Sequence, residues 1–215
     1  MPADAPATPT ASTPAVRLGL IGGNIAASQA PILHELAGDL AGLDVTYERL
    51  VPKEMGQDFD AVFAGCRDGG YRGVNVTYPY KELAAAQVRV DDPLVRAIGA
   101  VNTVLFDTDP PSGHNTDYSG FVAAYKSVRG AKPTGPVCLV GAGGVGKAVA
   151  FGLVALGAPE VRLVDQNPAT AAGLAAALTG VAPDMAVRVA DDVQTGARGA
   201  AGRVGYETFM GKAEA

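Results

Sequence analysis

The stretch Val137-Cys138-Leu139-Val140-Gly141-Ala142-Gly143-Gly144-Val145-Gly146-Lys147-Ala148-Val149 decides the reading of the fold. A short apolar run that could be a strand meets a Gly-x-Gly-x-x-Gly turn, and an apolar periodic segment follows to about Leu156. Glycines at those places have separate uses: Gly141 permits a tight turn, Gly143 lets main chain approach a pyrophosphate, and Gly146 lets helix and strand pack closely. The helix N-terminus then offers unpaired N–H groups and a partial positive charge to phosphates. Outside a strand–turn–helix context the motif is weak evidence; here the context is present.

Working outward, Val161–Val164 reads as the next strand and ends at Asp165, about 20 residues beyond the last glycine, where an acidic side chain can accept ribose hydroxyls. The bland alternative is that Asp165 only caps the helix expected over Pro168–Leu178. Gln166, Asn167, Pro168 and Ala169 include no arginine for a 2′-phosphate, so the reading favours NAD, with NADP as the alternative. The cofactor-binding set is Gly141, Ala142, Gly143, Gly144, Val145, Gly146 and Asp165. Met185–Ala190 is a third strand, after which the pattern fails in Gly196–Gly205. A doubly wound nucleotide domain needs two βαβαβ halves, and only one is legible. The expectation is an incomplete domain from a truncated or frameshifted product, with Val137–Val140 left as an unpaired, aggregation-prone edge.

Upstream, Arg17–Ile21, Val45–Val51, Gly73–Thr77 and Ala100–Phe106 read as strands. A helix opened by Pro31 carries Ile32, Leu33, Leu36, Ala37, Leu40 and Leu43 at three- and four-residue spacing, and another is expected over roughly Met55–Cys66. Asp107–Gly113 is turn-prone, and Phe121, Val122, Tyr125 and Val128 mark a helix after Asn115-Thr116-Asp117. Alternating strands and helices predict an α/β chain with parallel pairing. The expected organisation is a disordered extension over 1–16, an N-terminal α/β substrate domain over 17–131, an incomplete Rossmann-type doubly wound domain over 132–192 and an irregular tail over 193–215. Lys132–Pro136 is the expected hinge.

The 215 residues are 48% hydrophobic and 18% charged with a net charge of −5, which argues against nucleic acid. Residues 1–16 have neither the basic start nor the apolar run of a signal peptide. Glycines with Lys147, Glu160 and Arg162 break the apolar region 137–164, so no membrane span is expected. Cys66 and Cys138 read as reduced thiols of a cytoplasmic protein. With two histidines and no Cys/His spacing, no metal site is expected; His34 reads as a structural or helix-surface residue and His114 as a loop residue. A homodimer is compatible with the sequence.

Polar residues gather near element boundaries: Asn75, Thr77, Pro79 and Lys81 after one strand, Asn102 and Thr103 within another, and Asp117 at a helix start. Taken singly, Lys81 is a solvated residue, Asn102 a turn former and Asp117 an N-cap. Together, Val74-Asn75-Val76-Thr77-Tyr78-Pro79-Tyr80-Lys81-Glu82, Gly99-Ala100-Val101-Asn102-Thr103 and Gly113-His114-Asn115-Thr116-Asp117, in that order before the glycine turn, resemble the signature blocks of shikimate dehydrogenases. The resemblance covers about residues 17–190 and looks nearest to the NAD-using quinate/shikimate branch.

The resemblance implies hydride transfer between a hydroxyl-bearing ring carbon of shikimate or quinate and a nicotinamide, as in the shikimate pathway of aromatic amino acid biosynthesis. It implies Lys81 and Asp117 as the catalytic pair and Ser28, Asn75, Thr77 and Asn102 as contacts to a small cyclic hydroxy acid. Ile25-Ala26-Ala27-Ser28-Gln29-Ala30-Pro31 resembles the family's carboxylate-binding turn, which offers two hydroxyls; Ser28 supplies one and Ala30 none. The lost hydrogen bond is worth about 1.5–3 kcal/mol unless water replaces it. The alternatives are a catalytically inactive binding remnant of the same family and an unrelated nucleotide-binding enzyme sharing only the glycine turn.

Overall fold

The computed structural model describes residues 15–200 and the main chain of residues 202–205. Its contacts group into two compact units, one of residues up to Tyr80 with Leu105–Asp107, the other of Lys81–Val104 with Thr108 onward. The contact boundaries thus fall after Tyr80, inside the Val74–Glu82 block, and around Leu105–Asp107, between the other two blocks, and not at Lys132–Pro136.

In the first unit, β1 (Ala15–Ile21) leads through α1 (Ala30–Ala41) to β2 (Asp44–Leu50). Ala15 and Val16, expected in the disordered extension, belong to β1; the rest of that extension lies outside the described residues. A single helix over Met55–Cys66 does not form. Gly56, at φ +65°, ends α2 (Pro52–Met55), and Asp58 restarts the chain as α3 (Phe59–Asp68) by accepting the Ala61 N–H at 2.8 Å. β3 (Gly73–Val76) then pairs parallel with β1, from Leu18 opposite Gly73 to Ile21 opposite Val76. The strands run β2-β1-β3. Leu20, Ile25 and Tyr47 pack together, and Phe63 lies edge-on to Phe106 and beside Phe59.

The second unit opens with α4 (Lys81–Ala85) and α5 (Pro93–Ile98), capped by Asp92. β4 (Thr103–Leu105) runs to the divide. β5 (Ser112–His114) occupies the end of the segment expected to be a turn and places His114 on a strand. Asn115 caps α6 (Thr116–Arg129). The nucleotide-type half follows as β6 (Val137–Val140), α7 (Gly144–Ala155), β7 (Glu160–Val164), α8 (Pro168–Val181) and β8 (Ala186–Val189), with all strands parallel. Its core runs through Leu139, Phe151, Leu153, Leu163 and Leu178, closed from the other side by Ile98 and Ala100.

Two expectations about the end of the chain are corrected. The irregular tail contains α9 (Val193–Ala197), whose cap Asp192 accepts the Thr195 N–H at 2.6 Å, and β9 (Gly202–Gly205). β9 pairs parallel with β6, Val137 opposite Gly202 through Val140 opposite Gly205, so the order is β8-β7-β6-β9 and β6 is not an edge. Main-chain pairing requires no apolar period, which is why Gly202-Arg203-Val204-Gly205 carries no signal. Gly196 fits against Cys138 and Val164, each about where its own Cβ would press, at 3.0 Å. Residues 206–215 of the expected tail lie outside the described residues. Among the described residues no helix is long and apolar enough to cross a membrane.

Candidate active site

At the end of β6 the turn has the shape the glycines allow. Gly141 takes φ +97°, and a Cβ on Gly146 would stand 1.9 Å from the Gly141 carbonyl oxygen, so both glycines are required by the backbone itself. Around Gly143 and Gly144 a Cβ would meet open space. These two are not demanded by the protein's own packing, and a ligand can approach their main chain. Val145 lies partly exposed in the first turn of α7. With β9 on one side of β6 and β7 on the other, the strand order reverses beside this turn, which is where open α/β sheets bind ligands.

Asp165 sits at the end of β7 and braces the same turn. One carboxylate oxygen accepts the Ala142 N–H at 2.7 Å and the other the Asn167 N–H at 2.8 Å. These bonds, that from Ala142 first, hold the carboxyl below its ordinary range and keep it anionic. The cap of α8 is Asn167, whose side chain accepts from Ala169. Asp165 therefore does not take the helix-capping role.

Lys81, at the start of α4, and Asp117, in the first turn of α6, meet in the second unit. Lys81 Nζ donates to Asp117 Oδ2 at 2.6 Å, with side chains 19% and 32% exposed. Such a charge-assisted bond is short and strong, and both groups retain access to solvent. Asn102 stands beside this pair: its Oδ1 accepts the Thr116 N–H at 2.8 Å, and its Nδ2 donates to Thr116 Oγ1 at 2.8 Å. Asn102 thus fastens the residue preceding Asp117.

Ser28, Asn75 and Thr77 belong to the first unit. Ser28 Oγ accepts the Ala30 N–H at 3.3 Å, and the Ser28 carbonyl accepts from Arg49 Nη2 at 2.6 Å. Asn75 Oδ1 accepts from the Tyr47 hydroxyl at 2.7 Å. Burial pushes that phenol up to about 12, so it stays a donor at neutral pH. Thr77 is held at the end of β3 by its N–H to the Ile21 carbonyl, and its methyl would collide with any Cβ on Gly22.

Tyr47 and Arg49 escape sequence reasoning because their partners Asn75 and Ser28 lie far away along the chain, and Thr116, held by Asn102, because it stands inside the Asn115–Asp117 block without a local signal of its own. Asn115 carried a signal in its cap spacing to Tyr118. His34 is structural: it stacks on Tyr47 at 4.6 Å and meets the Ala30 carbonyl. Among the described residues no group of His, Cys, Asp and Glu could hold a metal ion.

The family model for the shikimate dehydrogenase substrate binding domain matches residues 20–104. A shikimate dehydrogenase (NADP(+)) of Pseudarthrobacter chlorophenolicus is 38% identical over 79% of this chain and 59% of its own length. A quinate/shikimate dehydrogenase (NAD(+)) of Corynebacterium efficiens is 36% identical over 76% of this chain and 59% of its own. The chain therefore spans about 59% of the length of these curated relatives. Among solved structures, the quinate dehydrogenase from Corynebacterium glutamicum in complex with NAD superposes with a TM-score of 0.83 at 32% identity, covering 90% of this chain and 71% of that one. With the three polar blocks, the glycine turn and these relatives in agreement, the chain belongs to the shikimate dehydrogenase family.

Proposed function

We propose that this protein is a shikimate or quinate dehydrogenase, with the observation carrying most weight being the 2.6 Å contact between Lys81 and Asp117. The substrate is a small cyclic hydroxy acid. Lys81 and Asp117 hold its reacting hydroxyl and exchange that hydroxyl's proton, a task for which paired acid–base groups typically contribute about 10²–10⁴ in rate. Asn75, Thr77 and Asn102 orient the remaining hydroxyls, and Ser28 binds the carboxylate. The domain roles follow: the segment over 17–131 binds substrate, and the segment from 132 binds nucleotide.

The cofactor's site fits a dinucleotide. Gly143 and Gly144 leave space at the N-terminus of α7, and Gly141, Ala142, Val145 and Gly146 shape the turn. When bound, the nicotinamide accepts or returns the hydride at the hydroxyl-bearing carbon. NAD is preferred over NADP in this reading, because Asp165 is anionic at the ribose end and no arginine follows through Ala169. The relatives include proteins named for each cofactor.

A steady-state assay with shikimate or quinate tests the proposal. Absorbance at 340 nm should rise, with a larger kcat/KM for NAD than for NADP. Folded protein that gives no absorbance change would refute the activity. Calorimetric heat with shikimate but no turnover would instead favour a binding protein.

A further inference from the structure

We propose that Asn115 is a positioning residue that sets the geometry of Lys81 and Asp117 through the main chain of Ala100 and Val101. The inference rests on the reading of Lys81 and Asp117 as the working pair. The Asn115 side chain is buried, 4% exposed, and both ends of its amide are used. Oδ1 accepts the Tyr118 N–H at 3.0 Å and starts α6, the helix that carries Asp117. Nδ2 donates to the Ala100 carbonyl at 3.0 Å. The next residue, Val101, is fully buried, and its N–H donates to the Lys81 carbonyl at 3.0 Å.

A closed circuit results. It passes from Lys81 Nζ to Asp117 Oδ2, back two residues to the cap Asn115, across to Ala100 and Val101, and returns to the Lys81 carbonyl. The Asn102 N–H donates to the His114 carbonyl at 3.0 Å and secures the same crosspiece from the other strand. Both partners of the ion pair are thereby referenced to one rigid tripeptide. Only a side chain that accepts at one end and donates at the other closes the circuit, and at this size asparagine does so while also capping a helix. A plain helix cap would need the acceptor alone.

The test separates these two roles. Asn115→Ser keeps a good cap but has neither the amide N–H nor the length to reach the Ala100 carbonyl. In the full chain, labelled with ¹⁵N-lysine, the Lys81 ammonium is identified by its loss in Lys81→Arg, and its hydrogen exchange with water is measured. Asn115→Ser should speed that exchange about tenfold, the scale set by the net worth of one buried hydrogen bond. The Gly141 N–H, held remotely by the Val164 carbonyl, should exchange as before. Should the serine variant fail to fold, Asn115→Asp keeps the size and the cap, lacks the donor, and carries the same expectation. An unchanged Lys81 rate in the folded variant, with only a lowered Tm, would reduce Asn115 to a cap and overturn the proposal. A protein without turnover would count against the proposed reaction and leave this readout unaffected.

Discussion

The helices α1 and α7 are each 12 residues long, follow a strand and a glycine-containing turn, and are rich in apolar residues, yet they are used in opposite ways. α7 buries Ala148 through Leu153 without a gap because it packs against β6 and the helices α5, α6 and α8. α1 buries only Pro31 and Gly38, while Ile32, Leu33, Leu36 and Leu40 stay 55–83% exposed. Its inward face is small and polar: Gly38 lies on Val45, and His34 lies on Tyr47. Apolar period therefore identified a helix in both cases and the buried face in one. In α1 the contact is made where a side chain is missing, because only glycine lets the helix approach the strand closely.

Substitutions can break this comparison. The largest effect belongs to Phe151→Ala in α7, fully buried, which should cost about 3–5 kcal/mol in urea unfolding. Next comes the overpacking pair. A Cβ at Gly152 would stand 2.5 Å from the Phe121 ring and one at Gly38 would stand 2.3 Å from Val45 Cγ2. Each Gly→Ala change should destabilise by about 1–3 kcal/mol, and an unchanged midpoint for Gly38→Ala would deny α1 its glycine-mediated contact. Smallest is Leu40→Ser on the exposed stripe, within about 0.5 kcal/mol; a loss of several times that would mean the stripe is covered.

A pH series sharpens the picture of the glycine turn that precedes α7. The Asp165 carboxyl lies below its ordinary value in the folded protein, so the unfolded chain binds its proton first as pH falls. Its contribution is fully present above about pH 4, the ordinary aspartate range, and is lost as pH drops through the folded value. Asp165→Asn should flatten the acid limb of the Tm–pH curve. A limb of unchanged slope would show that the Ala142 and Asn167 bonds do not favour the charged form.

Local chemistry explains what was legible. The glycine turn, the Asn115 block and the end of β7 announce themselves because each requires particular residue types within a few positions. Lys81 and Asp117 could be paired only through the family resemblance, since 36 residues separate them and no local rule joins them. The bond between Tyr47 and Asn75 was beyond reach for a related reason: it depends on β1 lying between β2 and β3 in a specific parallel register. β9 was invisible because strand pairing asks for no apolar period, and β5 because three residues carry no period.

In the proposed reaction Lys81 and Asp117 act as one unit. Turnover of Lys81→Ala, Asp117→Ala and the double variant, measured with shikimate or quinate and NAD, tests this most directly. Each single change should lower kcat by about 10²–10⁴, and the double should lose little more than either alone. Unchanged turnover in either single variant, or losses that multiply in the double, would contradict it.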